Sequence, residues 1–447
     1  MAELAEHPTV RRFREREAAL PAPGTDSNLD ASWLRQLCLR AGADDVGFVE
    51  IDRPEIADQR QEILALVPGA KTLLSIVCRM NREPVRSPAR SVANLEFHHT
   101  GDHVNEVARQ IVAALEARGV RAMNPAMGFP MEMERFGSKV WVVSHKPVAV
   151  AAGLGRMGIH RNVIHPKFGS FILLGTVLLD AELTAYDRAI DYNPCLECKL
   201  CVAACPVGAI EADGRFNFSA CYTHNYREFM GGFTDWVERI VGSRSVDEYR
   251  RKVSDAETVS MWQSLSYGAN YKSAYCLAVC PAGEDVIAPF LRDRPGYLGG
   301  VVKPLQAKPE TVYVVAGSDA ETHVARRFPH KTAKRVSNGL RPASIREFLN
   351  GLPLVFQRHR SAGLNATYHF TFVGEETAEA TVVIRDRRLQ VHAGHAGAAD
   401  LRVRADSRTW LGFLRKERGL VWALLRGKIR IKGSPRLLLA FGRCFPS

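Results

Sequence analysis

Residues 195–206 read CLECKLCVAACP. The four cysteines of this stretch follow the spacing C-x2-C-x2-C-x3-C-P, which is the bacterial ferredoxin pattern for binding [4Fe–4S] clusters. The short spacing lets three thiolates converge on one cluster, and the cysteine before the proline indicates a second cluster. Zinc also binds grouped cysteines, but this spacing favours iron and sulfur.

The second half of a two-cluster pattern is incomplete. Cys276 and Cys280-Pro281 fit the partner run C-x2-C-x3-C-P, but Ser273 occupies its first position, and Cys221 is an intervening candidate. The crossed ferredoxin pattern assigns Cys195, Cys198, Cys201 and Cys280 to cluster one, and Cys205, Cys221 and Cys276 to cluster two. Cluster two then has only three thiolates. Its fourth ligand is Ser273 or His224, or the cluster lacks one iron.

Length and composition indicate a globular protein with about two or three domains. The chain has 447 residues, of which 46% are hydrophobic and 24% charged, and its ten cysteines are too few for a disulfide scaffold. The longest apolar runs are shorter than the ~20 residues of a membrane-spanning helix, and no export signal is visible. We therefore expect a cytoplasmic protein.

The hydrophobic pattern predicts an α/β and α+β multidomain fold. Strands are predicted at residues 46–49, 73–77, 140–143 and 171–179, and an amphipathic helix at 104–118. The predicted domains are a flexible arm (1–30), an α/β domain (31–190), a ferredoxin-type domain (191–298), a linker and basic segment (299–340) and a second α/β domain (341–447).

The positive charge is concentrated at the C-terminal end. Residues 299–447 contain 26 Lys and Arg against 11 Asp and Glu, whereas the preceding residues are slightly acidic. A solvated surface, an anionic membrane surface and an acidic redox partner are all compatible with this charge. Nucleic acid is not expected as a partner, because no row of stacking aromatic residues is interleaved with the cations.

A glycine motif precedes the cysteine run. Gly153-x-Gly155-x-x-Gly158 matches the dinucleotide-binding fingerprint, but Pro166 and Gly169 interrupt the long helix that such a site needs. The motif therefore favours a glycine loop that lets the backbone approach another flat, phosphate-bearing cofactor.

Four stretches resemble epoxyqueuosine reductase and, more distantly, the reductive dehalogenases: ADDVGF (43–48), VPGAK (67–71), KPVAVAAGLGRMG (146–158) and PKFGSFILLG (166–175). The resemblance implies a nitroreductase-like domain that binds base-off cobalamin, followed by a two-cluster ferredoxin domain that supplies electrons. It places the glycine loop in the corrinoid-binding region, and the candidate cofactor contacts are Gly153, Gly155, Arg156, Met157, Gly158, His160 and Arg161.

The chain departs from that family in three places. Ser273 replaces a cluster cysteine, the helical repeats after the ferredoxin domain are absent, and Lys139 stands where the family has its catalytic aspartate. A lysine is a proton donor near neutral pH only if its pKa is lowered, so Lys139 argues against epoxyqueuosine as substrate. Tyr222 is a second candidate proton donor.

Residues 341–447 resemble a sterol carrier protein type 2 domain. The alternating strand at 367–372 and the ending GKIRIKGS (427–434) carry this resemblance, which implies an apolar tunnel for lipid-like ligands.

Together these features predict an iron–sulfur reductase in which two clusters pass electrons to cobalamin, which reduces an apolar or small organic substrate. The expected partners are that small-molecule or lipid-like substrate and a ferredoxin- or flavodoxin-like donor, with peripheral contact to an anionic membrane left open and no nucleic acid. The alternative is a non-catalytic electron carrier with a lipid-binding C-terminal domain.

Overall fold

The computed structural model describes residues 6–19, 28–135 and 140–446. The candidate Lys139 lies outside these residues. None of the helices in the described ranges combines the length and the apolar character needed to cross a membrane.

The N-terminal domain is built on a four-stranded antiparallel sheet of order β2-β3-β7-β4. Strand β3 is central and almost wholly buried, because apolar side chains occupy both of its faces. The elements up to residue 183 are α1 (Pro8–Ala19), β1 (Asn28–Leu29), α2 (Ala31–Ala41), β2 (Asp45–Glu50), α3 (Ala57–Leu66), β3 (Thr72–Arg79), α4 (Arg82–Arg86), α5 (Arg90–Glu116), β4 (Ala122–Met123), α6 (His145–Ala151), β5 (Arg156–Met157), β6 (Val163–Ile164), β7 (Ile172–Leu179) and β8 (Glu182–Leu183).

Helices cover both faces of this sheet. Helices α2 and α5 pack on one face, and α6 with the segment around Phe168 packs on the other. Asp30 begins α2 by accepting hydrogen bonds from the backbone of Ser32 and Trp33. Helix α5 begins well before the predicted residue 104, because its buried stripe extends back through Phe97 and Ala93.

One local prediction in this domain is wrong, and the predicted arm contains a helix. Residues 140–143 form no strand, because Val140 pairs through its carbonyl with the Glu132 backbone and the residues that follow bend into α6. The N-terminal arm contains the charged helix α1, whose alanine, arginine and glutamate residues favour a helix.

The cysteine domain consists of short helices packed around the two cysteine runs. Cys201 lies in α7 and Cys276 in α12, and these helices contact each other through Leu200 and Leu277. Its helices are α7 (Leu200–Ala204), α8 (Phe218–Asn225), α9 (Gly231–Val241), α10 (Val246–Lys252), α11 (Asp255–Tyr267), α12 (Tyr275–Ala278), α13 (Ala288–Arg292), α14 (Arg294–Tyr297) and α15 (Lys303–Ala307).

Residues 311–335, which lie in the predicted linker and basic segment, contain regular structure. They form β9 (Thr311–Val314), α16 (Asp319–Arg327) and β10 (Thr332–Arg335), and the two strands pair in parallel. Val312 and Val314 pack in the same apolar cluster as Cys201 and Cys205. This unit therefore extends the cysteine domain.

The C-terminal domain is a five-stranded sheet of order β13-β12-β11-β14-β15 with helices on one face. Its core is aromatic, with Phe348, Phe370 and Trp410 in mutual contact. The α/β and α+β multidomain prediction is confirmed. The elements are α17 (Ile345–Val355), β11 (Ala366–Val373), β12 (Ala378–Arg385), β13 (Arg388–Ala393), β14 (Leu401–Asp406), α18 (Ser407–Leu414), α19 (Leu420–Leu425), β15 (Ile429–Gly433) and α20 (Pro435–Arg443).

Candidate functional site

Three cysteines of the first run and the distant Cys280 line one recess. Cys195, Cys198, Cys201 and Cys280 surround it, together with His160. Burial, followed by repulsion from the thiolates of Cys198 and Cys195, raises the pKa of Cys280 to about 11. Thiols that are so costly to ionise alone are stabilised as thiolates when they bind metal.

The backbone between these cysteines wraps around the recess. Glu197 and Lys199 have φ values of 49° and 62°, a left-handed conformation that non-glycine residues adopt rarely. When left-handed residues alternate with right-handed ones, successive backbone N–H groups turn toward one point and create a site for negative charge. Within the described ranges no three His, Cys, Asp or Glu side chains converge closely enough to hold a single ion.

A second group of cysteines lies beside the first. The thiols of Cys205, Cys221 and Cys276 interact electrostatically, and burial with the Cys205 charge raises the pKa of Cys276 to about 12. The Ala209 N–H donates to Cys205 Sγ at 3.3 Å, which stabilises a thiolate there. The arrangement is compatible with the crossed pattern, and Cys201 of the first group also faces Cys276 of the second.

Two polar side chains of the N-terminal domain reach this second group. Asn162 Nδ2 lies 4.0 Å from Cys276 Sγ. Lys146 Nζ donates to Asn162 Oδ1 at 3.0 Å and to the Arg161 carbonyl at 2.8 Å, and its charge faces Cys276 and Cys221. The sequence analysis missed both residues, and the signal that points to them is their position on either side of the glycine loop.

The two candidates for the fourth position in this group differ in their surroundings. The Ser273 backbone donates to Asn225 Oδ1 at 2.8 Å. His224 Nδ1 accepts from the Tyr313 backbone N–H at 3.3 Å, so Nε2 carries the ring proton. The charged groups facing His224 include Glu310 and Lys331 rather than a thiolate. Its buried Nε2 has no hydrogen-bond partner.

The glycine loop is shaped by contacts within the protein. A Cβ on Gly153 would lie 2.4 Å from the Arg188 carbonyl oxygen, and one on Gly155 would lie 2.4 Å from that of Ile164. Both glycines also have positive φ. These close approaches explain the glycines without a ligand phosphate, and the short strands β5 and β6 follow where a dinucleotide site would have a long helix.

The remaining loop candidates are distributed around these glycines. The Arg156 guanidinium donates to the Ile190 carbonyl, and Met157 pairs with Val163 on β6. A Cβ on Gly158 would lie 3.0 Å from His160 Cε1. Arg161 presents its carbonyl to Lys146.

His160 is the loop residue that faces the first recess. Its Nδ1 accepts from the Asn162 backbone N–H at 3.1 Å, and its buried Nε2 has no partner. Burial, together with the nearby Lys146 charge, lowers the pKa of His160 to about 4, so the ring is neutral at pH 7. Its Nε2 therefore carries a proton that no described group accepts.

An aromatic wall joins the second cysteine group to the N-terminal domain. Tyr226 packs against Tyr222, Phe229 and Tyr271, with ring centroids 5.0–5.9 Å apart, and Phe97 of α5 contacts Tyr271. The Tyr222 hydroxyl accepts from the Gly231 N–H at 3.0 Å and is buried. Tyr226 is half-buried, and burial raises its pKa.

Family models match two parts of the chain. The 4Fe-4S binding domain matches residues 188–211, and the SCP-2 sterol transfer family matches residues 356–446. Epoxyqueuosine reductase from Vibrio cholerae is 25% identical over 242 residues, which cover 48% of this chain and 63% of that protein. The chain is a relative of epoxyqueuosine reductase. Both resemblances in the sequence analysis are thereby confirmed.

Two solved structures show weaker likeness. A crystal structure of epoxyqueuosine reductase with a tRNA-Tyr epoxyqueuosine-modified stem loop has 18% identity and a TM-score of 0.33, covering 44% of this chain and 57% of that one. A reductive dehalogenase structure has 15% identity and a TM-score of 0.39, covering 69% of this chain and 39% of that one.

The comparisons overturn the predicted partners. Epoxyqueuosine reductase is the name of the curated relative, and an enzyme of that name has been solved with a tRNA stem loop. The expectation of a small-molecule or lipid-like substrate with no nucleic acid is therefore wrong. The lack of interleaved aromatic residues excluded base stacking, but a protein also binds nucleic acid through phosphate contacts that need no aromatic ring.

His160→Leu is expected to lower the midpoint potential of the cluster in the first recess. A donor to sulfur stabilises the more negative reduced state, and about 1 kcal/mol of lost hydrogen bonding corresponds to on the order of 40 mV for one electron. An EPR-monitored redox titration measures this shift. His160→Gln, which keeps a donor, is the matched control and should retain most of the potential. Equal potentials in all three proteins would show that Nε2 does not reach the cluster.

Proposed function

We propose that this protein is an iron–sulfur reductase of the epoxyqueuosine reductase type, in which two clusters deliver electrons to a base-off cobalamin. The single observation that carries the proposal is the crossing of the cysteine groups: Cys280 joins the first recess, whereas Cys276, four residues earlier, joins Cys205 and Cys221. Crossing of this kind holds two clusters side by side, as an electron path requires.

The proposed ligands are Cys195, Cys198, Cys201 and Cys280 for cluster one, and Cys205, Cys221, Cys276 and Ser273 for cluster two. Ser273 is favoured over His224 because the His224 nitrogen with a free lone pair, Nδ1, is already used by the Tyr313 backbone. A seryl oxygen is a harder ligand than a thiolate, so cluster two should be the more labile of the two.

The residues beside cluster two fit a corrinoid. The aromatic wall offers flat apolar surfaces for a macrocycle, and Lys146 Nζ and Asn162 Nδ2 offer donors to its amide and phosphate groups. Cobalamin bound there would supply a cobalt centre able to transfer electrons to substrate. The protein's part is to hold this cofactor against Cys276 and to exclude water with the tyrosine and phenylalanine rings.

Tyr226 is a better-placed proton donor than Tyr222. The Tyr222 hydroxyl is buried and engaged by Gly231, whereas the half-buried Tyr226 ring lies beside Cys221 and Cys276. Burial raises the pKa of Tyr226, so its hydroxyl keeps its proton at neutral pH and is available to a reduced substrate. Lys139 remains a second proposed donor.

We propose an RNA-borne nucleoside as the substrate class. The curated relatives are epoxyqueuosine reductases, and the C-terminal part of this chain carries the excess positive charge that an RNA backbone needs. Lys139 in place of the family aspartate argues that the nucleoside differs from epoxyqueuosine. A cytoplasmic location is part of the same proposal.

Turnover on tRNA tests this function. The protein is purified without oxygen, reconstituted with iron, sulfide and cobalamin, and incubated with a chemical reductant and bulk tRNA, whose nucleosides are then analysed by mass spectrometry. We expect a cobalamin-dependent loss of oxygen from one modified nucleoside. Tyr226→Phe should slow this reaction by about 10²-fold or more, whereas Tyr222→Phe keeps most of it. Intact clusters without cobalamin-dependent turnover would favour the electron-carrier alternative.

A further inference from the structure

The C-terminal sheet is covered by helices on one face and is basic on the other. Strand register places like charges opposite each other on that outer face. The opposed pairs are Arg402 with Lys432, Arg404 with Arg430, and Arg385 with Arg388. We call these six exposed side chains the basic sheet face.

These cations have no acidic counterparts. Among the residues that the structure describes, no carboxylate lies within ion-pair distance of any of the six, although Arg341 and Arg358 pair with Glu238 and Glu211 elsewhere in the same part of the chain. Like charges directly opposite each other destabilise a sheet. The fold therefore carries a repulsion that a bound polyanion would relieve.

The spacing of the array suits a phosphate backbone. Residues two apart on a strand are separated by ~6.8 Å and neighbouring strands by ~4.8 Å, which is comparable with successive phosphates along one nucleic-acid strand. The positions between the cations on this face include the polar Thr371 and Gln390, the buried His369 and the apolar Val383. A membrane contact would need exposed apolar side chains, and the exposed Val421 and Leu425 belong to α19 in the helix layer instead.

We infer that the basic sheet face binds the sugar–phosphate backbone of RNA. The binding is independent of base sequence, because the face has charged donors for phosphates and no aromatic platform for bases. This inference deepens the proposed function by naming where the RNA is held, and it rests on that function only for the choice of RNA over DNA.

The test measures binding of a fluorescein-labelled RNA stem-loop to the reconstituted full-length protein by anisotropy over a series of salt concentrations. In Arg402→Gln/Arg404→Gln, we expect at least a tenfold weaker affinity near 0.1 M salt and a log–log salt slope reduced by about two. Arg326→Gln/Arg327→Gln is the matched control, because both residues are exposed on α16 and the charge change is the same. The control should keep the wild-type slope.

A second measurement separates binding from structural damage. Because the opposed cations repel each other, the same double variant should have a higher thermal midpoint than wild type without RNA, and the control should not. Loss of RNA binding together with gained stability supports the inference.

The inference would be overturned by an unchanged salt slope in the Arg402/Arg404 variant, or by an equal loss of RNA affinity in the Arg326/Arg327 control. Binding of the protein to phosphatidylserine vesicles without binding to RNA would also overturn it. Equal affinity for a DNA duplex would overturn the choice of RNA. RNA binding without turnover would leave this inference standing and reject only the proposed activity.

Discussion

Cys280→Ala is expected to remove the same cluster as Cys201→Ala, and Cys205→Ala the same cluster as Cys276→Ala. The assignment follows the thiols' positions in space: Cys280 faces Cys198 and Cys195, and Cys221 faces Cys276 and Cys205, while Cys201 faces Cys276 as well as Cys280. Each substitution should lower the iron content by about four per chain. Iron analysis combined with EPR of the reduced protein distinguishes the two clusters.

The control for this experiment is Cys38→Ala. Cys38 is buried in the N-terminal core, away from both cysteine groups, and burial raises its pKa to about 12. The Cys38→Ala variant should keep the full iron content and both EPR signals. If Cys280→Ala and Cys276→Ala lost the same signal, the crossed assignment would be wrong.

Lys331→Met is expected to destabilise the protein by about 3 kcal/mol, because it removes the nearer of the two cations beside the buried Glu310 carboxylate and leaves only Lys308 at 3.5 Å. The Lys331 side chain is 1% exposed, and its Nζ donates to Glu310 Oε1 at 2.7 Å and to the carbonyls of Leu305 and Lys308. Glu310 also accepts from Tyr275 at 2.7 Å, the residue before Cys276. Urea unfolding measures the loss.

Two variants identify the cause of that loss. Lys303→Met changes an exposed lysine on α15 and should alter stability by less than about 0.5 kcal/mol. Glu310→Gln combined with Lys331→Met removes both charges and should recover part of the stability. If the double variant were less stable than Lys331→Met, the charge explanation would be contradicted.

This ion pair also makes stability depend on pH. Although burial opposes ionisation, the hydrogen bond from Lys331 lowers the pKa of Glu310. A carboxyl whose pKa is lower in the folded state stabilises the protein fully above the unfolded value of about 4.3. Its contribution is lost as the pH falls through the folded pKa, and Glu310→Gln should remove that dependence.

The sequence predicts the cysteine groups well because their chemistry fixes their spacing. Cys195, Cys198 and Cys201 must wrap around one centre, so their separations carry the information directly. The glycine motif shows the opposite case. Gly153 and Gly155 accommodate the carbonyls of Arg188 and Ile164, and only the folded chain shows which distant backbone approaches them.

Strand register and the partners of individual hydrogen bonds also cannot be predicted from the sequence pattern. The sequence pattern indicates a second α/β domain at 341–447, but only the pairing of β14 with β15 places Arg402 opposite Lys432. Similarly, His160 is visible as a loop histidine, whereas its unpartnered Nε2 becomes visible only beside the cysteine recess. The prediction that nucleic acid is not a partner was wrong because it relied on the lack of stacking aromatic residues. The positions of the cations on the folded surface were not known from the sequence.

The most direct test of the proposed electron path is the cofactor content of the protein itself. The chain is purified without oxygen, reconstituted with iron and sulfide, mixed with excess cobalamin and passed through a size-exclusion column. The proposed path predicts cobalt co-eluting at about one per chain with about seven or eight irons. Full iron content with no cobalt would contradict it.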